Sequence, residues 1–277
     1  MPKLASRALL ARQRGLTRVS RMDTLERNRL AFAGQSQGFS SDGDTYANEE
    51  DLAWMLAALP LSEDLVVLDV ATGTGEFARA VAPHVASVTG IDATDAMLEK
   101  GASFVRQHDI SNITFQKGTV EDLPFESETF DAVTSRYAFH HFADPKPVLS
   151  EMARVCKKGG HVLVVDIVVP DREAAADYNY YEWLCDQSHT RCLDLGEFQS
   201  YFRLFGLQVA SARSRDYEEA VVEWMDFSLT QDKHRDAILL ALKEELKGGT
   251  KTGMAPVERD SVLYFRQRDA AIVGRKG

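Results

Sequence analysis

The architecture of this chain is set by nine residues, Val67-Leu68-Asp69-Val70-Ala71-Thr72-Gly73-Thr74-Gly75, in which a buried apolar strand leads straight into a tight turn. Gly73 and Gly75 let the backbone turn sharply and approach a ligand closely, because a Cβ there would collide with the ligand or require an unfavourable φ. A helical pattern follows. This order of strand, turn and helix predicts the first unit of a nucleotide-binding α/β fold.

Strand and helix patterns alternate on both sides of this turn, from Asp51 to Pro170. Apolar strands between amphipathic helices are what a parallel sheet covered on both faces requires, so the pattern predicts a doubly wound α/β fold. The predicted helices cover residues 51–59, 75–86, 96–108 and 147–156, and the predicted strands cover residues 66–70, 87–91, 112–117, 132–135 and 161–168.

Beyond Pro170 the pattern changes to an aromatic-rich helical stretch, a strand at residues 206–212 and a long helical segment to Lys247. A last strand is predicted at residues 261–266, with a continuation at Ile272. These parts are expected to form a helical lid on the substrate side. Its aromatic residues, Tyr178, Tyr181 and Trp183, either line an acceptor pocket or pack the lid at helical spacing.

The charge is unevenly distributed along the 277 residues, which carry 32 Lys+Arg, 42 Asp+Glu and a formal net charge of −10. The acidic balance argues against nucleic acid as the main partner. Residues 1–22 contain six basic and no acidic residues. We expect them to be either a transit peptide, which would send the protein to the mitochondrial matrix, or an upstream tail of a cytoplasmic protein. Residues 23–277 are expected to form a single domain.

No window approaches the roughly 20 apolar residues that cross a bilayer, so no integral membrane association is expected. The three cysteines, Cys156, Cys185 and Cys192, are an odd number without C-x-x-C spacing. This pattern favours buried structural thiols in a reducing compartment and supports neither a disulfide framework nor a zinc site.

Two acidic residues indicate the kind of cofactor. Asp92 ends the second strand seventeen positions after Gly75, where a carboxylate can accept both hydroxyls of a ribose. Asp69 lies at the tip of the first strand. A carboxylate there suits a ligand with an ammonium and a sulfonium. Beside the pyrophosphate of NAD, the repulsion between the two negative groups would weaken binding by on the order of 1 kcal/mol or more. The charge therefore favours S-adenosyl-L-methionine over NAD.

The stretch from Val67 to Gly75 resembles motif I of the class I S-adenosylmethionine-dependent methyltransferases. Further segments resemble, in order, the family's ribose-binding strand end, adenine-binding loop, fourth strand, and the helix and turn before the fifth strand. These segments cover residues 90–98, 118–125, 130–133 and 151–160. The similarity extends over about residues 63–170, and the branch it resembles most contains the ubiquinone and menaquinone biosynthesis methyltransferases.

The resemblance implies a mostly parallel seven-stranded sheet with an antiparallel last strand, and a set of cofactor-binding residues. Asp69 would lie near the amino-acid end of the cofactor, and Arg136 near its methionine part, although that arginine could instead clamp an acidic substrate. Met97 and Val120 could also merely fill the core. The residues that would line the cofactor are Gly73, Thr74, Gly75, Asp92, Met97, Thr119 and Val120.

Two positions depart from the family pattern. Ala71 stands where the family usually has its first glycine, which is a small and tolerable change. Thr119 stands where an acidic or amide side chain often meets the adenine amino group, so base selection there would depend more on backbone groups.

Adjacent histidines follow the fourth strand, at the end of the sheet where ligands bind. His140 could act as a catalytic base, since a histidine pKa near 6.5 suits removal of a phenolic proton during methylation. His141 could instead hold the following helix, and both rings could simply pack. Two adjacent histidines without further ligands do not make a metal site.

Together these features predict an S-adenosylmethionine-dependent methyltransferase that moves a methyl group to a small aromatic or quinone-like acceptor by in-line displacement. The alternatives are an NAD-dependent oxidoreductase and a non-catalytic binding protein that keeps the nucleotide fold. The sequence does not indicate an oligomeric state.

Overall fold

The computed structural model describes residues 49–277, so the basic leader at residues 1–22 lies outside the described residues. Within them the strands are β1 Val66–Val70, β2 Ser87–Asp92, β3 Ile113–Lys117, β4 Phe130–Arg136, β5 Cys156–Ile167, β6 Leu207–Ala220, β7 Val257–Arg259 and β8 Val262–Lys276. The helices are α1 Glu49–Leu56, α2 Glu76–Val81, α3 Asp95–Gln107, α4 Pro145–Val155, α5 Ala175–Cys185, α6 Leu195–Leu204, α7 Val221–Phe227 and α8 Asp232–Leu246.

The strands of this described part form one mixed sheet in the order β3-β2-β1-β4-β5-β8-β6, with β7 paired to β8. The first five strands of that order run parallel. β8 is antiparallel to both β5 and β6, which confirms the predicted antiparallel last strand. The doubly wound α/β fold is therefore confirmed, and the short β7 adds an eighth strand to the seven expected.

Both faces of the central parallel strands β1, β4 and β5 are largely buried, as their continuous apolar sequences predict. Neighbouring residues of β1 enter different core clusters: Val67 packs with Phe77 of α2, whereas Leu68 packs with Met152 of α4. Because successive strand side chains point to opposite faces, one five-residue strand supplies both cores. The sheet is thereby held between helical layers, and the carboxyl ends of its strands remain available for a site.

The antiparallel half extends beyond this frame and carries the remaining helices. Tyr178 of α5, Trp224 of α7 and Leu242 of α8 form a third buried cluster with Phe265 of β8. This cluster attaches the helices that follow β5 to the long ends of β6 and β8, beside the carboxyl end of the parallel sheet.

The predicted helix after residue 212 was wrong, because β6 continues to Ala220 and the helical part divides into α7 and α8. Residues 213–219 are polar, but their charges pair across strands: Asp216 of β6 binds Arg268 of β8, and Glu218 binds Arg259 of β7. These partners are far apart in the sequence, so local pattern did not reveal the strand. The last strand likewise runs unbroken from Val262 to Lys276.

None of the helices between residues 49 and 277 is long and apolar enough to cross a membrane. Cys156, Cys185 and Cys192 are all buried free thiols. Burial raises the thiol pKa of Cys156 to about 11, and burial also raises the thiol pKa of Cys192 well above its ordinary value. The three thiols are therefore uncharged packing residues at neutral pH.

Candidate cofactor and acceptor site

One continuous cavity lies at the carboxyl ends of β1, β2, β4 and β5 and extends to β6, β8, α5 and α7. Nine of the ten residues predicted for the site line it, and the carboxyl edge of a parallel sheet is where such ligands bind. The nine are Asp69, Gly73, Thr74, Asp92, Met97, Thr119, Val120, Arg136 and His140.

Gly75 is the predicted residue that does not line the cavity. Its φ of +76° lies in the left-handed region, and a Cβ at this position would approach the ring of Phe115 to 2.5 Å. The glycine is therefore needed for close packing of the turn against β3. Gly73, with φ +55°, has open space where a Cβ would point, so the left-handed backbone conformation rather than packing favours glycine at this position.

Ala71, the departure from the family pattern, adopts a left-handed φ of +55° in the same turn. An alanine in this conformation is strained relative to glycine because its Cβ crowds the carbonyl oxygen. The substitution is tolerated in the fold, and it leaves some strain in the loop.

Asp92 ties the end of β2 to the glycine turn. Its two carboxylate oxygens accept the backbone N–H groups of Gly73 at 2.9 Å and Thr94 at 2.8 Å. Burial raises the pKa of Asp92, and these hydrogen bonds oppose the rise. Because each oxygen has two lone pairs, the fixed carboxylate can still accept hydroxyl groups from a ligand in the cavity.

Asp69 is buried at the tip of β1, where it accepts the hydroxyls of Thr72 at 2.6 Å and Thr134 at 2.7 Å. Burial raises its pKa, while the two threonines favour the ionised form. The carboxylate thus holds the turn against β4 in addition to placing negative charge beside the cavity.

Glu76 and Arg136 form an ion pair in the cavity wall, and each side chain is only about one tenth exposed. The pair does not satisfy either group fully: among the described residues, Glu76 Oε1 and Arg136 Nη1 are buried without a hydrogen-bond partner. A buried acceptor beside a buried donor fits a zwitterion, since an ammonium can bind the first and a carboxylate the second. The amino-acid end of S-adenosylmethionine is such a zwitterion.

His140 contacts Asp166 through Nδ1, with 2.5 Å between Nδ1 and Oδ1. The other carboxylate oxygen of Asp166 accepts the backbone N–H of Phe139 at 2.7 Å, so the acid is fixed. Burial is the largest single effect on the pKa of His140 and lowers it, but the charge and hydrogen bond of Asp166, together with the charges of Glu182 and Asp186, outweigh burial and the pKa rises. This contact leaves Nε2 as the ring nitrogen for a ligand in the cavity.

His141 has a different role. Its Nδ1 lies 3.1 Å from the hydroxyl of Ser188, in the segment after α5. Burial and the neighbouring His140 lower its pKa to about 4, so it is uncharged at neutral pH. His141 thus connects the turn after β4 to the segment between α5 and α6, which is a different segment from the helix directly after it that the sequence analysis considered.

The far end of the cavity combines aromatic walls with a hydrogen-bonded chain. Tyr217 of β6 donates to Oε1 of Gln267 at 2.6 Å, and the amide Nε2 of Gln267 lies 3.3 Å from Oε1 of Glu182 on α5. Trp224 and Phe227 line the same end. We call this part, defined by these five residues, the acceptor end.

The aromatic residues expected from α5 do not line the cavity. Tyr178 is fully buried in the third core cluster, and Tyr181 and Trp183 pack against it. Aromatic lining comes instead from Tyr217, Trp224 and Phe227. The packing alternative for the α5 aromatics is therefore the one observed.

Sequence reasoning missed several residues that line the cavity or hold a lining residue, and these residues differ in how visible they are in the sequence. Asp166 was visible as an acid within an apolar strand, and Glu76 follows Gly75 directly. Glu182 and Gln267 lie 85 positions apart and carry no motif. Within residues 49–277 there is also no group of three or more His, Cys, Asp or Glu side chains that could hold a metal ion.

A family model described as a methyltransferase domain matches residues 68–164. The uncharacterized methyltransferase YcgJ of Bacillus subtilis (strain 168) is 38% identical over 162 residues, which are 58% of this chain and 64% of that protein. The crystal structure of YcgJ matches with a TM-score of 0.76 and 29% identity, over 83% of this chain and 100% of that chain.

Two further relatives agree with this match. The structure of a candidate methyltransferase from Bacillus halodurans C-125 has a TM-score of 0.74 and 30% identity, over 82% of this chain and 99% of that chain. A demethylmenaquinone methyltransferase from Porphyromonas gingivalis is 35% identical over 47% of this chain and 57% of that protein. The alignments with these curated relatives thus span only 57% to 64% of their length.

The fold and the cavity at the carboxyl edge of its sheet define a Rossmann-like α/β protein with a nucleotide-type site. The chain belongs to the class I S-adenosylmethionine-dependent methyltransferase family. S-adenosyl-L-methionine is the cofactor of that family.

Proposed function

We propose that this protein transfers a methyl group from S-adenosylmethionine to a small aromatic or quinone-like acceptor by in-line displacement. The observation that carries the proposal is a single cavity that joins the glycine turn, the Glu76–Arg136 pair, His140 and the aromatic acceptor end. Donor and acceptor can therefore meet without leaving the protein interior.

The residues around the glycine turn are proposed to hold the cofactor. Asp92 would accept the ribose hydroxyls, since its carboxylate is already fixed by two backbone N–H groups. Glu76 and Arg136 would bind the ammonium and carboxylate of the amino-acid end. Met97, Thr119 and Val120 line the part of the cavity that is left for the adenine, which agrees with the resemblance to the family's adenine-binding loop.

The bound cofactor supplies a methyl group on a positively charged sulfur. The protein's own contribution to such a displacement is chiefly to hold the donor, the methyl carbon and the acceptor atom in line. His140 is proposed as the base that removes the acceptor's proton through Nε2, because Asp166 fixes the ring and stabilises its charged form. This proton transfer assists a reaction in which positioning dominates.

The proposed acceptor class follows from the walls of the acceptor end. Trp224, Phe227 and Tyr217 provide flat apolar surface, which suits an aromatic or quinone-like ring. The Porphyromonas gingivalis relative, a demethylmenaquinone methyltransferase, supports the same class. The net charge of −10 argues against a nucleic-acid acceptor, because binding such an acceptor needs a basic surface.

The domain organisation is part of the proposal. Residues 23–277 would act as a single methyltransferase domain, with the cofactor-binding core at about residues 51–170 and the substrate-side elements at about residues 171–277. The cavity lining supports this division, because Asp92 and Arg136 lie in the first part whereas Trp224 and Gln267 lie in the second.

The test is a methyl-transfer assay with isotopically labelled S-adenosylmethionine, read out by mass shift of the acceptor. The panel contains 1,4-dihydroxynaphthalene and catechol, with a tRNA and an acidic peptide as acceptors that should remain unlabelled. We expect labelled product from an aromatic acceptor and slower turnover in His140→Ala. Labelling of the tRNA or peptide alone, or of nothing in the panel while the cofactor binds, would contradict the proposed acceptor class.

A further inference from the structure

We propose that Glu182 is a specificity-determining residue that binds a hydroxyl of the acceptor, a different hydroxyl from the one that faces His140. This inference rests on the proposed function, which it deepens by specifying the acceptor as a ring with two hydrogen-bond donors. The sequence analysis assigned no role to Glu182, and the reaction as derived above does not use it.

The first support is where Glu182 lies. It projects from α5 into the cavity wall, its side chain is 4% exposed, and it shares the acceptor end with Trp224 and Phe227. A carboxylate is seldom buried to this degree unless it is paired. At the acceptor end, the partner that fits an acidic oxygen beside an aromatic wall is a donor on the bound ring.

The second support is the orientation of Gln267. Because the hydroxyl of Tyr217 donates to Oε1 of this amide, the amide must present its N–H₂ group to Glu182. The chain of hydrogen bonds thus runs from β6 through β8 to α5, and it favours Glu182 as an acceptor of hydrogen bonds. The contact between Gln267 and Glu182 is long, at 3.3 Å, and the hydroxyl of Tyr178 also interacts with the carboxylate. Because a carboxylate has about four lone-pair sites, these two contacts leave it able to accept a further donor.

The third support is the electrostatic environment. Burial raises the pKa of Glu182 to about 7, against smaller opposite effects of Tyr178, His140 and Gln267. A hydroxyl that donates to the carboxylate stabilises the ionised form and lowers that pKa. Binding of such a ligand near pH 7 should therefore release a proton. The titratable groups that act on Glu182 or respond to its charge are His140 of the turn after β4, Tyr178, Cys185 and Asp186 of α5 and its end, and Cys192 before α6.

The test uses a matched pair of ligands that differ in one donor, namely 1,4-dihydroxynaphthalene and 4-methoxy-1-naphthol. Binding is measured by anaerobic calorimetry with S-adenosylhomocysteine present, so that no methyl transfer takes place. We expect the wild-type protein to bind the dihydroxy ligand about ten- to hundredfold more tightly, as for a hydrogen bond to a charged group. Glu182→Gln should reduce this preference to within a few-fold.

A second readout detects the proton directly. The calorimetric titration is repeated at pH 7 in two buffers that differ in ionisation enthalpy, which gives the number of protons released on binding. Release is expected for the dihydroxy ligand with the wild-type protein and is expected to disappear in Glu182→Gln. Gln267→Leu keeps the acid but removes its amide donor, so this variant should still release a proton on binding. It is the second variant to measure if Glu182→Gln does not fold, and loss of proton release in Gln267→Leu would then contradict the role of Glu182.

The outcomes separate this inference from the proposed function. Equal binding of the two ligands, binding of neither, or an unchanged preference in Glu182→Gln would overturn the role of Glu182, even if the methyl-transfer assay succeeds. A preference that depends on Glu182, found together with failure of every aromatic acceptor to be methylated, would support the role of Glu182 and contradict the proposed reaction.

Discussion

The cofactor part and the acceptor end of the cavity are built in different ways. The cofactor part comes from turns that directly follow parallel strands, and Asp92 orders it through backbone N–H groups only 2 and 19 positions away. The acceptor end joins α5, β6 and β8 through side chains that are 50 and 85 positions apart. The cofactor part is built from local contacts, which suits a ligand that does not vary. The acceptor end is built from separate side chains, so single substitutions there can change acceptor specificity without disturbing the cofactor part.

The largest expected effect tests the cofactor part alone. Asp92→Ala should weaken binding of S-adenosylhomocysteine by roughly a hundredfold or more, because it removes contacts to two ribose hydroxyls and frees the turn. Calorimetric titration measures the affinity. Asp95→Ala is the matched control, since Asp95 is an exposed acid three residues away that pairs with Lys117, and it should bind normally.

An unchanged affinity in Asp92→Ala would contradict the ribose assignment. Equal loss in Asp95→Ala would show instead that the loop as a whole had been disturbed.

The next effect concerns stability at the acceptor end. The pKa of Glu182 is raised from 4.5 to about 7, so the folded protein keeps a proton that the unfolded chain releases between these values. Stability should therefore fall as pH rises through this window, by up to about 3 kcal/mol at about 1.4 kcal/mol per pH unit. Glu182→Gln cannot ionise, so its stability relative to the wild type should increase from pH 4.5 to pH 8.

Urea unfolding at several pH values measures this difference. The comparison between pH values cancels any constant effect of the substitution on packing. A stability difference between wild type and variant that does not change with pH would show that Glu182 is ionised normally.

A smaller effect is expected where the two parts meet. His140→Ala should slow turnover at pH 7 by about ten- to hundredfold, which is at or below the lower end of the usual contribution of acid–base catalysis, because positioning supplies most of the rate. Its affinity for S-adenosylhomocysteine should stay nearly unchanged. Steady-state kinetics with an acceptor from the panel measures the turnover, and calorimetry measures the affinity for S-adenosylhomocysteine. Full activity of the variant would remove His140 from the mechanism.

The smallest effect lies in the turn itself. Ala71→Gly should relieve the left-handed strain at φ +55°, and the greater freedom of glycine in the unfolded chain should partly cancel the gain. The free energy of unfolding should change by about 1 kcal/mol or less, in the stabilising direction. Chemical denaturation measures it, and a clear destabilisation would mean that the methyl group of Ala71 contributes packing that exceeds the strain.

Sequence and structure agree best where one turn contains the information. The alternation of strands and helices predicted the parallel half of the sheet. The motif from Asp69 to Gly75 and the acid at Asp92 predicted a glycine turn whose hydrogen bonds to Asp92 join residues within about twenty positions. The antiparallel last strand and the placement of His140 at the cavity also followed from the resemblance and from the rule for strand ends.

The acceptor end could not be predicted in the same way. The polar residues of β6 form a strand because they pair with β8, which is distant in the sequence. The orientation of Gln267 on β8 likewise depends on a hydrogen bond from Tyr217 on β6. The aromatic run in α5 left two roles open, and the structure shows the packing role, with Tyr178 in one cluster with Phe265. Trp224 lies on a helix that follows β6, a strand that the sequence predicted too short. The extent of β6, the orientation of Gln267 and the packing of the α5 aromatics all depend on contacts between residues that are far apart in the sequence.

The central claim is that the glycine turn, Asp92 and the Glu76–Arg136 pair form a site for S-adenosylmethionine. The most direct test titrates one preparation of the protein with S-adenosylmethionine and with NAD in the same calorimetric series. We expect saturable binding of S-adenosylmethionine, strongly weakened by Asp92→Ala, and no binding of NAD. Saturable binding of NAD, or no binding of S-adenosylmethionine to folded protein, would contradict it.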